Sequence, residues 1–168
     1  MSVARRTSLL ALVLLASCGA ADLSGSVGHY FSLDFTREEI LRGPDALQIT
    51  YYRDTETQVE VVARLTVVTR GFDFTAGHSF DLSGEYAPGH PRAVVTHAAG
   101  NEPSRALPAL RHGTLTLKAG GAPGEATRGS FSLSFQDQGG DFGQGTNLSG
   151  KFDAVALNAD PDGASDGS

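Results

Sequence analysis

The side chains best able to do chemistry in this chain are five histidines, 19 carboxylates and one cysteine. Their spacing decides what they can do together. His29, His78, His90, His97 and His112 form no His-x-His or His-Glu-x-x-His pattern, the spacings that bring two imidazoles onto one metal. His90 and His97 flank one predicted strand, where an offset of seven puts them on opposite faces. The histidines read as scattered surface and loop residues, and no metal site is expected. Asp160-Pro161-Asp162-Gly163 opens like a calcium loop, but the fifth position, which needs an oxygen ligand, is Ala164. An acidic tail is the better reading. Asp137 and Asp141 stand among glycines, where Gly-Asp pairs serve turns for purely conformational reasons.

Covalent catalysis finds no better footing. A serine nucleophile needs a base beside it, and no Gly-x-Ser-x-Gly occurs beyond the N-terminal region; the nearest run, Leu23-Ser24-Gly25-Ser26, sits close to the start. Nothing singles out one pair among the carboxylates for glycosidase work. Gly150-Lys151 precedes a strand residue where a phosphate cradle would precede a helix. No catalytic residue and no cofactor is assigned.

That leaves Cys18. Arg5 and Arg6 precede an apolar run from Leu9 to Ala16, and Leu15-Ala16-Ser17-Cys18 ends it. A positive start, a short apolar segment and small residues describe a signal peptide; the segment is far shorter than the roughly 20 residues that span a bilayer. The order Leu-Ala-Ser-Cys, followed by Gly19 and Ala20, resembles the lipobox of bacterial lipoproteins. The resemblance implies cleavage between Ser17 and Cys18, a diacylglyceryl (palmitate-type) thioether on Cys18, and acylation of the new amino group. It also implies a cell-envelope location. Gly19 in place of Asp there points to the outer membrane. Two or more acyl chains hold a protein on a membrane stably, whereas one holds it marginally. The resemblance covers the first 20 residues; the rest of the chain matches no family on its motifs.

Removing residues 1–17 takes away Arg5 and Arg6, leaving 11 basic and 19 acidic residues and a net charge of −8. Such a domain repels nucleic acid, and no basic cluster offsets this. With its only cysteine lipidated, the domain holds no disulfide and rests on its core. The absence of Trp weakens the expectation of an aromatic sugar-binding platform.

The elements follow from alternation. Phe31, Leu33 and Phe35 predict a strand over Val27–Phe35. Thr36-Arg37-Glu38-Glu39 resembles a capping box, with Gly43 and Pro44 as stops, and predicts one short helix. Leu47, Ile49 and Tyr51 give a strand, with Tyr51 and Tyr52 on opposite faces. The longest run, Val59, Val61, Ala63, Leu65 and Val67, predicts a central strand facing one way. Strands at 78–84 and 92–97 precede a long loop, 98–110. Gly113-Thr-Leu-Thr-Leu is echoed 16 residues later by Gly129-Ser-Phe-Ser-Leu, and more loosely from Gly145. These predict three successive antiparallel strands with Leu115, Leu117, Phe131, Leu133 and Phe135 inward. The chain divides into a signal peptide (1–17), a tether (18–26), a β domain (27–158) and an acidic tail (159–168). About eight strands argue for an antiparallel β-sandwich, with a small closed β-barrel as the alternative. A membrane-spanning barrel is not expected, because the outward positions are Ser, Thr and Glu rather than an apolar band.

The functional expectation is a lipid-anchored envelope protein with a non-enzymatic binding or structural role. It would meet the membrane through Cys18 and an envelope protein or glycan through its domain. An envelope hydrolase and a lipocalin-like carrier of a small apolar ligand are the alternatives.

Overall fold

The computed structural model describes residues 21–87, 89–139 and 145–159. Residues 1–20, with the lipobox and Cys18, lie outside the described residues, as do Asp141 and the tail from Asp160. The described chain is all-β. Its strands are β1 (Asp22–Ser24), β2 (Arg37–Arg42), β3 (Ala46–Asp54), β4 (Val59–Val68), β5 (His78–Asp81), β6 (Glu85–Ala87), β7 (His90–Pro91), β8 (Ala93–Ala98), β9 (Arg105–Ala106), β10 (Leu110–Ala119), β11 (Ala126–Phe135) and β12 (Asn147–Asn158). Apart from the small β6–β7 hairpin they form one sheet, ordered β5-β10-β11-β12-β2-β3-β4-β8-β9, with β1 added beside β12. Every pairing is antiparallel except that of β12 with β2.

The sheet is strongly curled. Neighbouring strands are about 4.8 Å apart, so β3 and β11, three places apart, would be separated by about 14 Å if flat. Yet Tyr51 of β3 and Phe131 of β11 meet edge to face at 6.2 Å between ring centres. The inner face closes on a single core that includes Ile40, Leu47, Ile49, Leu65, Val95, Leu115, Leu133, Phe135, Leu148 and Phe152. The inward residues expected on β10 and β11 are all buried there. Tyr51 is fully buried, and its hydroxyl donates to the Lys151 carbonyl at 2.9 Å, crossing the core to β12.

Two glycines make that packing possible. Gly129 pairs with Phe152, and Gly150 pairs with Phe131. A Cβ at Gly129 would stand 2.3 Å from the Phe152 ring, and one at Gly150 would stand 2.4 Å from the Phe131 ring. Each ring occupies the space that its cross-strand partner leaves empty. Gly129, which the 16-residue echo marks, is thus a core residue rather than a loop residue.

Four expectations need correction. The helix at Thr36–Gly43 is instead strand β2, paired along its whole length with β3. Thr36 does not cap a helix: its hydroxyl accepts the Asp54 amide at 2.9 Å. Ile40 is fully buried, and tertiary pairing overrides the local signal. The only helical element among the described residues is a 3-10 turn, Ser26–His29. The strand expected over Val27–Phe35 is that turn followed by extended chain outside any ladder; Phe31, Leu33 and Phe35 do alternate inward, packing on the core as a cover. On β4 the single inward face fails at a bulge: Tyr51 pairs with Ala63 but Tyr52 with Val61, leaving Val62 inserted. Val62 is buried, and Val59 is 51% exposed. Finally, Asp22–Ser24, read as part of a tether, forms β1 against β12, and the loop 98–110 contains β9.

β1 and β2 share one edge of β12. β1 pairs with residues 149–151 and β2 with residues 156–158. Between them the Asp153 amide has no strand partner and donates to Glu38 Oε1 at 2.8 Å. A side chain thus bridges the break in the ladder.

Candidate functional site

A hollow of about 550 Å³ opens at one end of the sheet. Its walls come from the end of β2, the β4–β5 connection, the β10–β11 hairpin and the end of β12. Arg42 is its cation. The guanidinium sits 5.1 Å over the Phe74 ring, and Nη1 donates to Thr69 Oγ1 at 2.6 Å. Burial lowers the Arg42 pKa, and nearby Asp45 opposes that shift; an arginine remains charged all the same. On the opposite wall Glu125 accepts the Ala122 amide at 3.2 Å. The Gly124 amide donates to the Ala156 carbonyl at 2.7 Å, and Ala156 donates to the Glu125 carbonyl at 2.9 Å, which docks this hairpin on β12. Gly120 has φ 68° and no room for a side chain, since a Cβ would stand 2.4 Å from the Ala126 carbonyl. Thr75 and Asn158 complete the polar lining. One fixed cation, one carboxylate, a hydroxyl, an amide and an aromatic face suit a polar, hydroxyl-rich or zwitterionic molecule.

A second hollow, about 440 Å³, lies on the outer face of β5 and β10 and brings together Asp81, Ser83 and His112. The residue types are those of a hydrolytic triad, but the bonding is not. Asp81 Oδ1 accepts both the Ser83 amide at 2.9 Å and the Ser83 hydroxyl at 2.5 Å. These two bonds hold the Asp81 carboxyl below the usual range, with smaller help from Arg92 and His112. The hydroxyl bonds the carboxylate itself, whereas a triad interposes the histidine between the two.

The residues singled out by sequence fall in different places. His29, His78, His90 and His112 are exposed, and His78 shares a hydrogen bond with Thr75. His97 is partly buried, stacked on Phe31 at 4.0 Å, with Nδ1 2.9 Å from the Val62 carbonyl. Among the described residues no three His, Cys, Asp or Glu side chains converge as metal ligands. Asp137 accepts the Gly139 amide at 2.9 Å, the bond of an Asx turn. Lys151 is an exposed residue within β12. Tyr51 and Tyr52 do face opposite ways: Tyr51 is in the core, while Tyr52 lies under the Arg37 guanidinium at 4.0 Å and bonds Glu39. Cys18 lies outside the described residues. Sequence reasoning missed Arg42 and Phe74, because the first stands in the predicted helix and no pattern singles out the second. No spacing signal could join residues that only the curl of the sheet brings together. Comparisons of the chain with protein-family models, curated proteins and solved structures found no significant match.

Proposed function

We propose that this chain is a lipid-anchored cell-envelope protein, held through Cys18 in the outer membrane, whose β domain has a non-enzymatic binding or structural role. The observation that carries the reading is Leu15-Ala16-Ser17-Cys18, placed directly after a short apolar run and containing the only cysteine. The bonding around Asp81 and Ser83 supports a non-catalytic domain, because the Ser83 hydroxyl bonds the carboxylate directly rather than a histidine. The hollow at Arg42 is the candidate contact for a polar partner such as a glycan or the polar surface of an envelope protein. The finer fold is a small barrel. β9 bonds β8, Leu107 donates to the Val95 carbonyl at 2.8 Å, and the same chain continues past Pro108 into β10. Segment 105–119 thereby pairs with β8 near one end of the strand order and with β5 at the other, which supports closure into a barrel. A barrel interior filled by Tyr51, Phe135 and Phe152 favours this binding role over the carriage of an apolar ligand.

The anchor is tested by feeding cells a labelled fatty acid and comparing wild type with Cys18→Ala. Label on the wild type alone is the expected outcome. Equal label on both, or none on either, removes the proposal.

A further inference from the structure

Outward positions on β10–β12 are mostly polar: Thr114, Thr116, Ser132, Ser134, Ser149, Lys151 and Asp153. The pattern changes at the end of β12. Val155 and Leu157 point outward and are 53% and 50% exposed, while Ala156 between them is fully buried. Val155 pairs with Ala126 on β11, and Leu157 pairs with Leu41 on β2. Paired side chains stand on one face about 5 Å apart, so Leu41, Ala126, Val155 and Leu157 form one apolar strip across three strands. Antiparallel sheets ordinarily keep such residues on the inner face.

Where the chain enters the fold says what covers this strip. β1 runs antiparallel to β12 with Asp22 opposite Lys151, so β1 traced backwards runs along β12 toward Val155. Cys18 stands four positions before Asp22, a reach of at most about 14 Å. Val155 lies four residues beyond Lys151 on β12, about 13 Å away. A lipid on Cys18 would therefore have the strip within its reach. Charge favours neutral contact: Arg128 and Asp153, at its border, pair with each other at 2.8 Å.

We propose that the strip Leu41–Ala126–Val155–Leu157 is the face that rests on the lipid bilayer, fixing the orientation of the anchored domain. This rests on the anchoring reading and adds which side of the domain turns to the membrane. The strip is too small to hold the protein there by itself; it orients a domain that the acyl chains retain.

Because the single native cysteine is taken by lipid, an introduced thiol is a unique labelling site. Leu157→Cys, Val155→Cys and, as a control on the outer face of β11, Ser132→Cys would each carry a polarity-sensitive fluorophore on the lipidated full chain. The chain is bound to neutral phosphatidylcholine vesicles and quenched with aqueous iodide. The expected result is a several-fold drop in quenching at 155 and 157 relative to 132, together with a blue shift. Equal quenching at all three positions on protein that floats with the vesicles overturns the strip and leaves the anchor standing. Failure to float overturns the anchoring reading and, with it, this inference. Protection at 157 that depends on protein concentration, and persists in lipid-free Cys18→Ala protein, shows that a second copy covers the strip and also overturns it.

Discussion

One oxygen of Glu38 accepts the Asp153 amide; the other is buried, and no group among the described residues bonds it. Burial pushes the Glu38 carboxyl above its ordinary value of 4.5, the amide bond pulls it down, and the nearby Asp153 carboxylate pushes it up again, with a net rise. A raised value in the fold means that the folded state binds the proton more tightly than the unfolded chain. The stability that this group contributes is present at pH below its ordinary value, and it is lost as pH rises through the raised value. We expect Glu38→Gln to remove that part of the pH dependence. Melting temperatures of wild type and variant, measured from pH 4 to pH 8, should converge at the acid end and separate toward neutrality, with the variant relatively better at the higher pH. Parallel curves would show that Glu38 does not titrate in this range. Tyr51 is a companion case. Tyr51→Phe deletes the bond to the Lys151 carbonyl, at a cost of about 1 kcal/mol, readable by urea unfolding.

At the scale of elements, the β11–β12 pair shows why a glycine can matter inside a strand. Gly150→Ala puts a methyl group into the Phe131 ring. The expected destabilisation is about 1–3 kcal/mol, as for other overpacked cores. Phe131→Leu in the same chain should recover part of it, which separates a steric clash from a change in backbone preference. β10 and β11 were legible in the sequence because each alternates cleanly, and β12 less so because its alternation is looser. β3 was legible for the first reason. β2 was not: Arg37-Glu38-Glu39 looks like a first helical turn, and its one strong strand signal, the burial of Ile40, exists only once β3 and β12 flank it. The bulge at Val62 was invisible for a similar reason, since an inserted residue leaves hydrophobic side chains at both phases of the alternation.

For the molecule as a whole, closure through segment 105–119 is the feature to test. If the ring is closed, the Leu107 and Gln136 amides, which donate to Val95 and Ala109, should exchange with solvent as slowly as those of β11. Fast exchange at both, with protection confined to the other strands, would mark an open sheet. The all-β class was legible, with sandwich and barrel as alternatives, but the strand order and the curl depend on contacts far apart in sequence. The hollow at Arg42 depends on the same contacts, and so sequence reasoning supplied residue types without a place.

The place of β12 has one more consequence. The last described strand is bonded to β1, to β2 and to β11, so the first and last parts of the chain meet at the middle of the sheet. β1 and one edge of β2 cannot complete their pairing until the final dozen residues of the sheet are available, although β3 and β4 find both neighbours earlier. Such long-range pairing makes assembly slow, on the order of milliseconds to seconds. A chain emerging from the ribosome would hold β1 and one edge of β2 open until almost all of it had been made.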